Sequence, residues 1–350
     1  MEIIKYNELS IRKRNLVSLS IFKMKDGYRN FNIYLNYLQK ILNYFRENKN
    51  LSLDLRIYFD ESCHKEINKF ISENRNIEFY KFNYPPLRIG EFHNGTFGTL
   101  ARLLPIFNNQ HNYSKDYDYV WIDDIDISPE NIQDEQIDYL YANNINTFYS
   151  SLFCYYKPWN NVKYGKYNLN FPLITNIKIP LSIFNKYIND VAIGTYKNVI
   201  SSILEYRKDR YKYNYDIKFP YGMDEYFTNN IIFENLCNKI TFVRYDIEIS
   251  RILTKILYTK VLDPKDKEIL KLLLKLSESS YKNTDLKVKK EINNTFIKLF
   301  NKIDKNKMQR YFDATTELNE MNCVNEFYDF INKYKIDDIN NFYVIVKIKL

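Results

Sequence analysis

Two hydrophobic patterns alternate along the first quarter of the chain. Short runs of aliphatic and β-branched residues predict buried strands at residues 16–22, 53–59 and 77–82. Apolar residues at helical spacing predict helices at residues 28–45 and 63–71. Strands that alternate with helices form a mostly parallel sheet with helices on its faces, so the sequence predicts an α/β fold. A chain of 350 residues is long enough to bury a full core around such a sheet.

Glycine is scarce, with 7 residues in the whole chain. These glycines cannot build a G-x-G-x-x-G dinucleotide fingerprint. The pair with P-loop spacing, Gly90 and Gly95, is not followed by the Lys and the Ser or Thr that bind phosphate. The common hydrolase motifs G-x-S-x-G and H-E-x-x-H are also missing from the sequence. The sequence therefore excludes nicotinamide Rossmann enzymes and P-loop NTPases.

An acidic cluster follows the next predicted strand, residues 117–122. The cluster is Asp123-Asp124-Ile125-Asp126, and ligands of parallel α/β sheets bind at this carboxyl end of the strands. Residues two apart in an extended chain point to the same side, so Asp124 and Asp126 should project together, with Asp123 as a supporting residue. The doubled Asp123-Asp124 leaves two registers open, of which we favour the pair Asp124 and Asp126. Two converging carboxylates suit a Mg²⁺ or Mn²⁺ ion that bridges a diphosphate. The alternative is a solvated acidic turn.

A second group of carboxylates lies about a hundred residues further on. Gly222 permits a tight turn, a helix is predicted at residues 226–233, and Asp224 and Glu225 lie between them. Either carboxylate is a candidate general base that takes the proton of a hydroxyl group. The alternative is that they only cap the helix and complement its dipole.

Three stretches together resemble the glycosyltransferases of the GT-A fold: Thr96–Pro105, Tyr119–Ile127 and Tyr221–Asn230. In that family a D-x-D motif ends a central strand and holds a divalent metal on a nucleotide-sugar. A G-x-D-E stretch faces the donor sugar and the acceptor. The resemblance covers roughly residues 16–245 and implies a Rossmann-like, mixed and mostly parallel sheet flanked by helices. It also places Arg102 beside the nucleotide.

The resemblance implies transfer of a sugar from a nucleoside diphosphate sugar, with a uridine diphosphate sugar favoured, to a hydroxyl group of a glycan or protein. Asp124 and Asp126 would bind Mn²⁺ or Mg²⁺, which neutralises the leaving diphosphate. Arg102 or Lys23 would add positive charge there, and Asp123 would support the same donor site.

The net charge of +8 is unevenly distributed. Between Arg251 and Arg310 the sequence has 16 Lys or Arg and 7 Asp or Glu. We therefore expect a catalytic domain at residues 1–248 and a basic, mainly helical C-terminal appendage at residues 249–350, with helices at 286–300 and 323–334. The basic region could meet an anionic membrane surface, a nucleic acid or an anionic acceptor glycan.

The sequence carries no apolar leader and no apolar run of transmembrane length. Its 4 cysteines lie far apart, without zinc-site spacing, and predict buried thiols in a reducing compartment. We therefore expect a cytoplasmic protein. The surplus of Asn, Ile, Lys and Tyr is typical of an AT-rich genome, such as that of a large DNA virus, in which case the location would be the host cytoplasm.

Two other functions remain open from the sequence. Asp124-x-Asp126-x-Ser128 matches a haloacid-dehalogenase-type phosphatase motif, but that motif belongs after the first strand and here follows the fourth. A basic, aromatic-rich chain could also be a nucleic-acid-binding or scaffold protein without catalysis. That protein would bind with steep salt dependence and would tolerate Asp124→Ala.

Overall fold

The computed structural model describes only part of the chain, as follows: residues 1–9, 11–27, 30–108, 117–142, 144, 146–152, 169–207, 213–236, 241–246, 263–269, 271, 339–340 and 343–348. The chain divides into two compact units. The first contains Met1–Tyr149, Asn161–Phe242 and Ile348–Leu350, and the second contains Ser150–Asn160 and Val243–Lys347. The predicted division at residue 248 stays a prediction, because most of 249–350 lies outside the described residues.

The first unit is an α/β unit. Its strands are β1 (Glu2–Lys5), β2 (Asn15–Ile21), β3 (Leu53–Phe59), β4 (Glu78–Asn83), β5 (Arg88–Ile89), β6 (Phe92–His93), β7 (Phe107–Asn108), β8 (Val120–Ile122), β9 (Thr147–Leu152), β10 (Leu169–Thr175) and β11 (Ile179–Pro180), of which β9 spans the unit boundary. Its α-helices are α1 (Phe31–Glu47), α2 (His64–Glu73), α3 (Asp134–Ala142), α4 (Leu181–Ala192), α5 (Lys197–Arg207), α6 (Met223–Phe227) and α7 (Phe233–Leu236). Short 3₁₀ helices lie at Glu61–Cys63, Pro85–Leu87, Phe97–Ile106 and Pro129–Asn131, and a π-helix at Thr228–Ile232.

Seven strands form a mixed sheet in the order β1-β4-β3-β2-β8-β10-β9. Its centre is parallel: β2 pairs with β3 on one side and β8 on the other, and β3 pairs with β4. β1 and β10 join in antiparallel orientation. Every residue of β2 and β3 is buried, as expected for strands covered on both faces. The predicted α/β class, with a mixed sheet flanked by helices, is confirmed, and this arrangement is compatible with a Rossmann-like fold.

The main core lies between the sheet and helices α1, α2 and α3. The apolar stripe of α1 contributes Leu38, Ile41 and Leu42, because residues three and four apart share one helix face. The other face of β2 meets the 3₁₀ helix Phe97–Ile106, where Ser18 Oγ donates to the Arg102 carbonyl at 2.7 Å. That contact positions Arg102 against the middle of the sheet.

Local geometry departs from the predicted helices in two places. Leu100, Leu103, Leu104 and Phe107 at helical spacing predict a helix at about residues 96–107, which Pro105 should end or kink. Residues 97–106 form a 3₁₀ helix instead of an α-helix, and Pro105, which cannot donate a backbone hydrogen bond, lies in its last turn. The helix predicted at 226–233 becomes α6, the π-helix Thr228–Ile232 and α7. π-helical turns often lie next to functional sites. Strands β1 and β10 were not predicted.

The second unit is described only in short pieces. They include β12 (Thr241–Asp246), which spans the unit boundary, and an antiparallel pair, β13 (Ile339–Asn340) with β14 (Tyr343–Ile348). A helix at 264–269 follows Asp263, whose Oδ1 accepts from the Asp266 N–H at 2.8 Å, so Asp263 is the N-cap of this helix. The helices predicted at 286–300 and 323–334 lie outside the described residues. Within the described ranges, no helix has both the length and the apolarity that crossing a bilayer requires.

Candidate functional site

A cavity of about 450 Å³ opens at the carboxyl ends of β2 and β8. The sequence placed seven side chains in a ligand site, and six of them line this cavity: Lys23, Arg102, Asp124, Asp126, Asp224 and Glu225. They come from four separate segments of the chain. The seventh, Asp123, lies behind the wall and is buried.

The acidic cluster follows β8 directly. Asp124 and Asp126 both line the cavity, and the Asp124 side chain is 50% exposed. Ile125 between them is 7% exposed and belongs to the main core. This alternation directs the two carboxylates to one wall, as the extended register predicted.

Asp123 anchors the turn from within. Its Oδ2 accepts from the Trp121 indole N–H at 3.1 Å, and its Oδ1 accepts from the Asp124 backbone N–H at 2.8 Å. Burial, with repulsion from Asp124 as the second cause, raises the pKa of Asp123 to about 7. Its contacts stabilise the turn that presents Asp124.

Arg102 is buried, with 2% of its surface exposed. Its Nη1 forms an ion pair with Asp124 Oδ1, and its Nη2 donates to Asp224 Oδ2 at 3.0 Å. The guanidinium carbon lies 4.0 Å from the centre of the Phe171 ring. Burial lowers the pKa of Arg102, but the attraction of Asp124 and Asp224 outweighs it, so the net shift is upward. The sequence resemblance places the positive charge of Arg102 beside the nucleotide. In the structure this charge pairs with two carboxylates of the protein, Asp124 and Asp224.

Asp224 and Glu225 lie in the first turn of α6, after Gly222 in the left-handed region at φ 102°. The residue at the N-cap is Gly222, so neither carboxylate occupies the capping position. Both are more than nine-tenths buried and line the cavity. Burial raises the pKa of Asp224 to about 6; Arg102 opposes the shift, and Glu225 and Asp124 add to it.

Lys23 follows β2 and completes the charged lining. Its Nζ lies 2.5 Å from Glu66 Oε1 on α2 and 5.1 Å from the centre of the Phe31 ring. Glu66 lies on a helix outside the cavity lining, and its carboxylate neutralises part of the Lys23 charge.

The rest of the lining was not predicted residue by residue. It includes these aromatic rings: Phe22, Phe31, Tyr34, Phe92, Phe171 and Tyr221. With 33 Tyr and 24 Phe in the chain, composition could not select them. Ser20 also lines the cavity, is 4% exposed, and its Oγ meets no hydrogen-bond partner among the described residues. The polar residues of the buried strand β2, among them Ser18 and Ser20, were the available signal, because buried hydroxyls need partners.

His93 lies outside the cavity lining and is held by the protein. Its Nε2 accepts from the Tyr84 backbone N–H at 3.1 Å, so Nδ1 carries the proton. That Nδ1 lies 3.0 Å from Asp60 Oδ2, and both side chains are fully buried. His93 is thus a buried loop histidine.

The cavity fits a divalent cation only if water or a ligand completes the coordination shell. Within the described part of the chain, no three His, Cys, Asp or Glu side chains form a group that could hold a metal alone. Mg²⁺ commonly binds one or two carboxylates and takes its other oxygens from substrate phosphates and water. Among the described lining residues, four carboxylates face two cations, and each cation already contacts a carboxylate. The donor set and the excess negative charge therefore suit a cation that enters with an anionic ligand.

Fold and site together define an α/β protein with an acidic cavity at the carboxyl ends of its parallel strands. Neither a protein-family model nor a curated protein matches this chain. The functional argument is therefore made from the residues and their geometry.

Proposed function

We propose that this protein is a metal-assisted glycosyltransferase of the GT-A type that uses a nucleoside diphosphate sugar, with a uridine diphosphate sugar favoured. One observation carries the proposal: the D-x-D cluster after β8 and the G-x-D-E segment that begins α6 both supply carboxylates to the same cavity and share Arg102. About a hundred residues separate the two motifs in the sequence.

The charge of the cavity supports a substrate that brings a cation. A diphosphate is anionic and would be repelled by Asp124, Asp126, Asp224 and Glu225. A bridging Mn²⁺ or Mg²⁺ turns this repulsion into attraction. The aromatic rings of the lining add flat surfaces on which a nucleobase or a sugar can stack.

Each charged residue then has a role. Asp124 and Asp126 would hold the cation, and Asp123 keeps their turn in place through Trp121. The cation supplies a Lewis acid for the leaving diphosphate. Lys23 would place its positive charge beside the donor. Its ion pair with Glu66 is partly exposed, so Lys23 can exchange this partner for a phosphate.

Asp224 or Glu225 would receive the proton of the acceptor hydroxyl. In the transfer, the acceptor oxygen bonds to the anomeric carbon, the bond from that carbon to the phosphate oxygen breaks, and the nucleoside diphosphate leaves. A carboxylate whose pKa is raised to about 6, as for Asp224, is mostly ionised at pH 7 and binds a proton more strongly than an ordinary aspartate.

Thermal-shift titration with UDP-, GDP- and other nucleotide-sugars, each with and without Mn²⁺, tests the proposal. We expect one nucleotide class to raise the melting temperature only when Mn²⁺ is present, because the cavity repels the anion alone. Asp124→Asn and Asp126→Asn should abolish this stabilisation, because each removes a metal ligand. The matched control is Asp138→Asn, the same change at an exposed position on α3.

Two results would reject the proposal. One is the lack of metal-dependent stabilisation by any nucleotide-sugar. The other is stabilisation that survives both Asp124→Asn and Asp126→Asn.

In hydrolysis or transfer assays with the donor so identified, Asp224→Asn and Glu225→Gln would then show which carboxylate accepts the proton, because loss of the base costs about 10²- to 10⁴-fold in rate.

A further inference from the structure

Arg102 is held in the cavity wall through both its backbone and its side chain. Its carbonyl accepts a hydrogen bond from Ser18 on β2 at 2.7 Å, and its guanidinium lies against the Phe171 ring. The side chain is 97% buried. A long cationic side chain held in this way has little freedom to swing toward a ligand.

The guanidinium joins the two acidic motifs. One terminal nitrogen pairs with Asp124 and the other with Asp224, and these residues are a hundred positions apart. The other charged groups that line the same cavity are Asp126, Glu225 and Lys23. Planar Arg can bind two carboxylates at once through separate N–H groups, which a single ammonium group does less well.

Asp124 therefore has two potential cationic partners, Arg102 and a divalent metal. Because both bind through carboxylate oxygens, a metal on Asp124 must share that carboxylate with Nη1 or displace it. The bond between Nη2 and Asp224 does not involve this carboxylate, so it can persist. Arg102 then keeps α6 close to the end of β8 in either case.

We propose that Arg102 is a positioning residue, which ties Asp224 to the acidic cluster and competes with a divalent cation for Asp124. This role of Arg102 differs from that of a phosphate ligand, which the sequence resemblance implied. The inference rests on the metal site of the proposed function but is independent of which nucleotide or sugar is used.

Titration with Mn²⁺ alone, followed by the electron paramagnetic resonance of the free ion, tests the competition without any turnover. We expect Arg102→Gln to bind Mn²⁺ about tenfold more tightly, a coupling typical of residues in direct contact. The matched control is Arg14→Gln, the same change at an arginine that pairs with Asp118 outside the cavity lining. It should change Mn²⁺ affinity by less than about twofold, because neither Arg14 nor Asp118 lines the cavity.

A double-mutant cycle with Asp224→Asn tests the positioning role. Loss of the Asp224 charge leaves Arg102 with Asp124 as its acidic partner, so Mn²⁺ affinity should fall. In the Arg102→Gln background this fall should largely disappear. Circular dichroism and melting temperature confirm that each variant is folded, and Arg102→Lys serves as a second variant that keeps the charge but loses the two-way bridge.

Three outcomes overturn the inference: equal shifts in Mn²⁺ affinity for Arg102→Gln and Arg14→Gln, an undiminished Asp224→Asn effect without Arg102, or no Mn²⁺ binding by wild type and Arg102→Gln alike. If Mn²⁺ binds and the Arg102 effects appear but no nucleotide-sugar binds, the proposed function fails while the role of Arg102 stands.

Discussion

Arg56 and Arg102 are both buried arginines that hold carboxylates, yet only Arg102 faces a cavity. Arg56 has no exposed surface and lies on β3 in register with Glu78 on β4. Its Nε and Nη2 donate to Glu78 Oε2 at 2.8 and 2.6 Å. Arg102 lies on a 3₁₀ helix and divides its charge between two residues that line a cavity.

The surroundings of the two arginines differ in charge balance. Glu78 is also within 3.4 Å of the Lys5 ammonium, and the ring of Tyr80 packs 4.7 Å from the Arg56 guanidinium. Around Arg102 the balance is reversed, since carboxylates outnumber cations in the cavity lining. A buried ion pair is therefore no sign of a functional site by itself. Excess charge on an accessible wall is the informative feature, because it stabilises a ligand at the expense of the fold.

The largest loss of stability should come from breaking the buried ion pair between Arg56 and Glu78. We expect Glu78→Gln to lower the free energy of unfolding by about 3–5 kcal/mol, because it leaves Arg56 buried without its counter-ion. Asp224→Asn should change the same quantity by less than about 1 kcal/mol, because Arg102 keeps Asp124 and repulsion from Glu225 is relieved.

Urea unfolding of both variants measures this contrast. The control is Glu61→Gln, which breaks an ion pair to Lys81 at a half-exposed carboxylate and should cost less than about 1 kcal/mol. Similar losses for Glu78→Gln and Asp224→Asn would show that the two arginine clusters do not differ in kind.

The next effect concerns the loop that carries Asp224 to the cavity. Gly95 has φ 57°, and a Cβ there would overlap the Phe219 carbonyl oxygen, a few residues before α6. Gly90 has a similar φ of 59° with nothing within 4 Å of the added carbon. We expect Gly90→Ala to cost about 1 kcal/mol of unfolding free energy and Gly95→Ala about 3 kcal/mol, the difference being the steric overlap.

Urea unfolding and Mn²⁺ binding of the two alanine variants check this prediction. Only Gly95→Ala should also weaken Mn²⁺ binding, because the displaced loop moves Asp224 away from Arg102, which is then left with Asp124 as its acidic partner. Equal stability losses for the two variants would contradict the close approach of Gly95 to the Phe219 carbonyl.

The smallest predicted effect concerns the ammonium group of Lys178, and it depends on pH. Burial, with repulsion from Arg56 as the second cause, lowers the pKa of Lys178 from 10.5 to about 8. Between these values the unfolded chain holds the proton and the folded chain does not, so this group makes stability rise with pH. Between pH 7 and pH 9.5 the free energy of unfolding of wild type should rise by about 1–2 kcal/mol relative to that of Lys178→Met, after allowance for the partial exposure of Lys178.

Unfolding at the two pH values gives this difference directly. Lys186→Met, at a position 76% exposed, is the control and should leave the pH dependence unchanged. A Lys178→Met variant with the same pH dependence as wild type would show that the ammonium is well solvated.

Much of the arrangement could be predicted because local patterns are strong. Strand β3 was predicted at its observed residues, and Asp124, Ile125 and Asp126 alternate between cavity and core as expected. Strand β1 could not be predicted, since its four residues, Glu2–Lys5, lack a hydrophobic run and pair only through β4. The direction of β10 likewise depends on its partner β8.

The sequence by itself determined the alternation of strands and helices and the positions of the two acidic motifs. Both are local properties: side-chain periodicity selects the element, and a turn follows where it ends. Only the tertiary structure decided that Arg102 binds Asp124 and Asp224 and that Ser20 and six aromatic rings line the cavity. Those facts depend on contacts between residues far apart in the chain, and one sequence carries no record of which distant charges become neighbours.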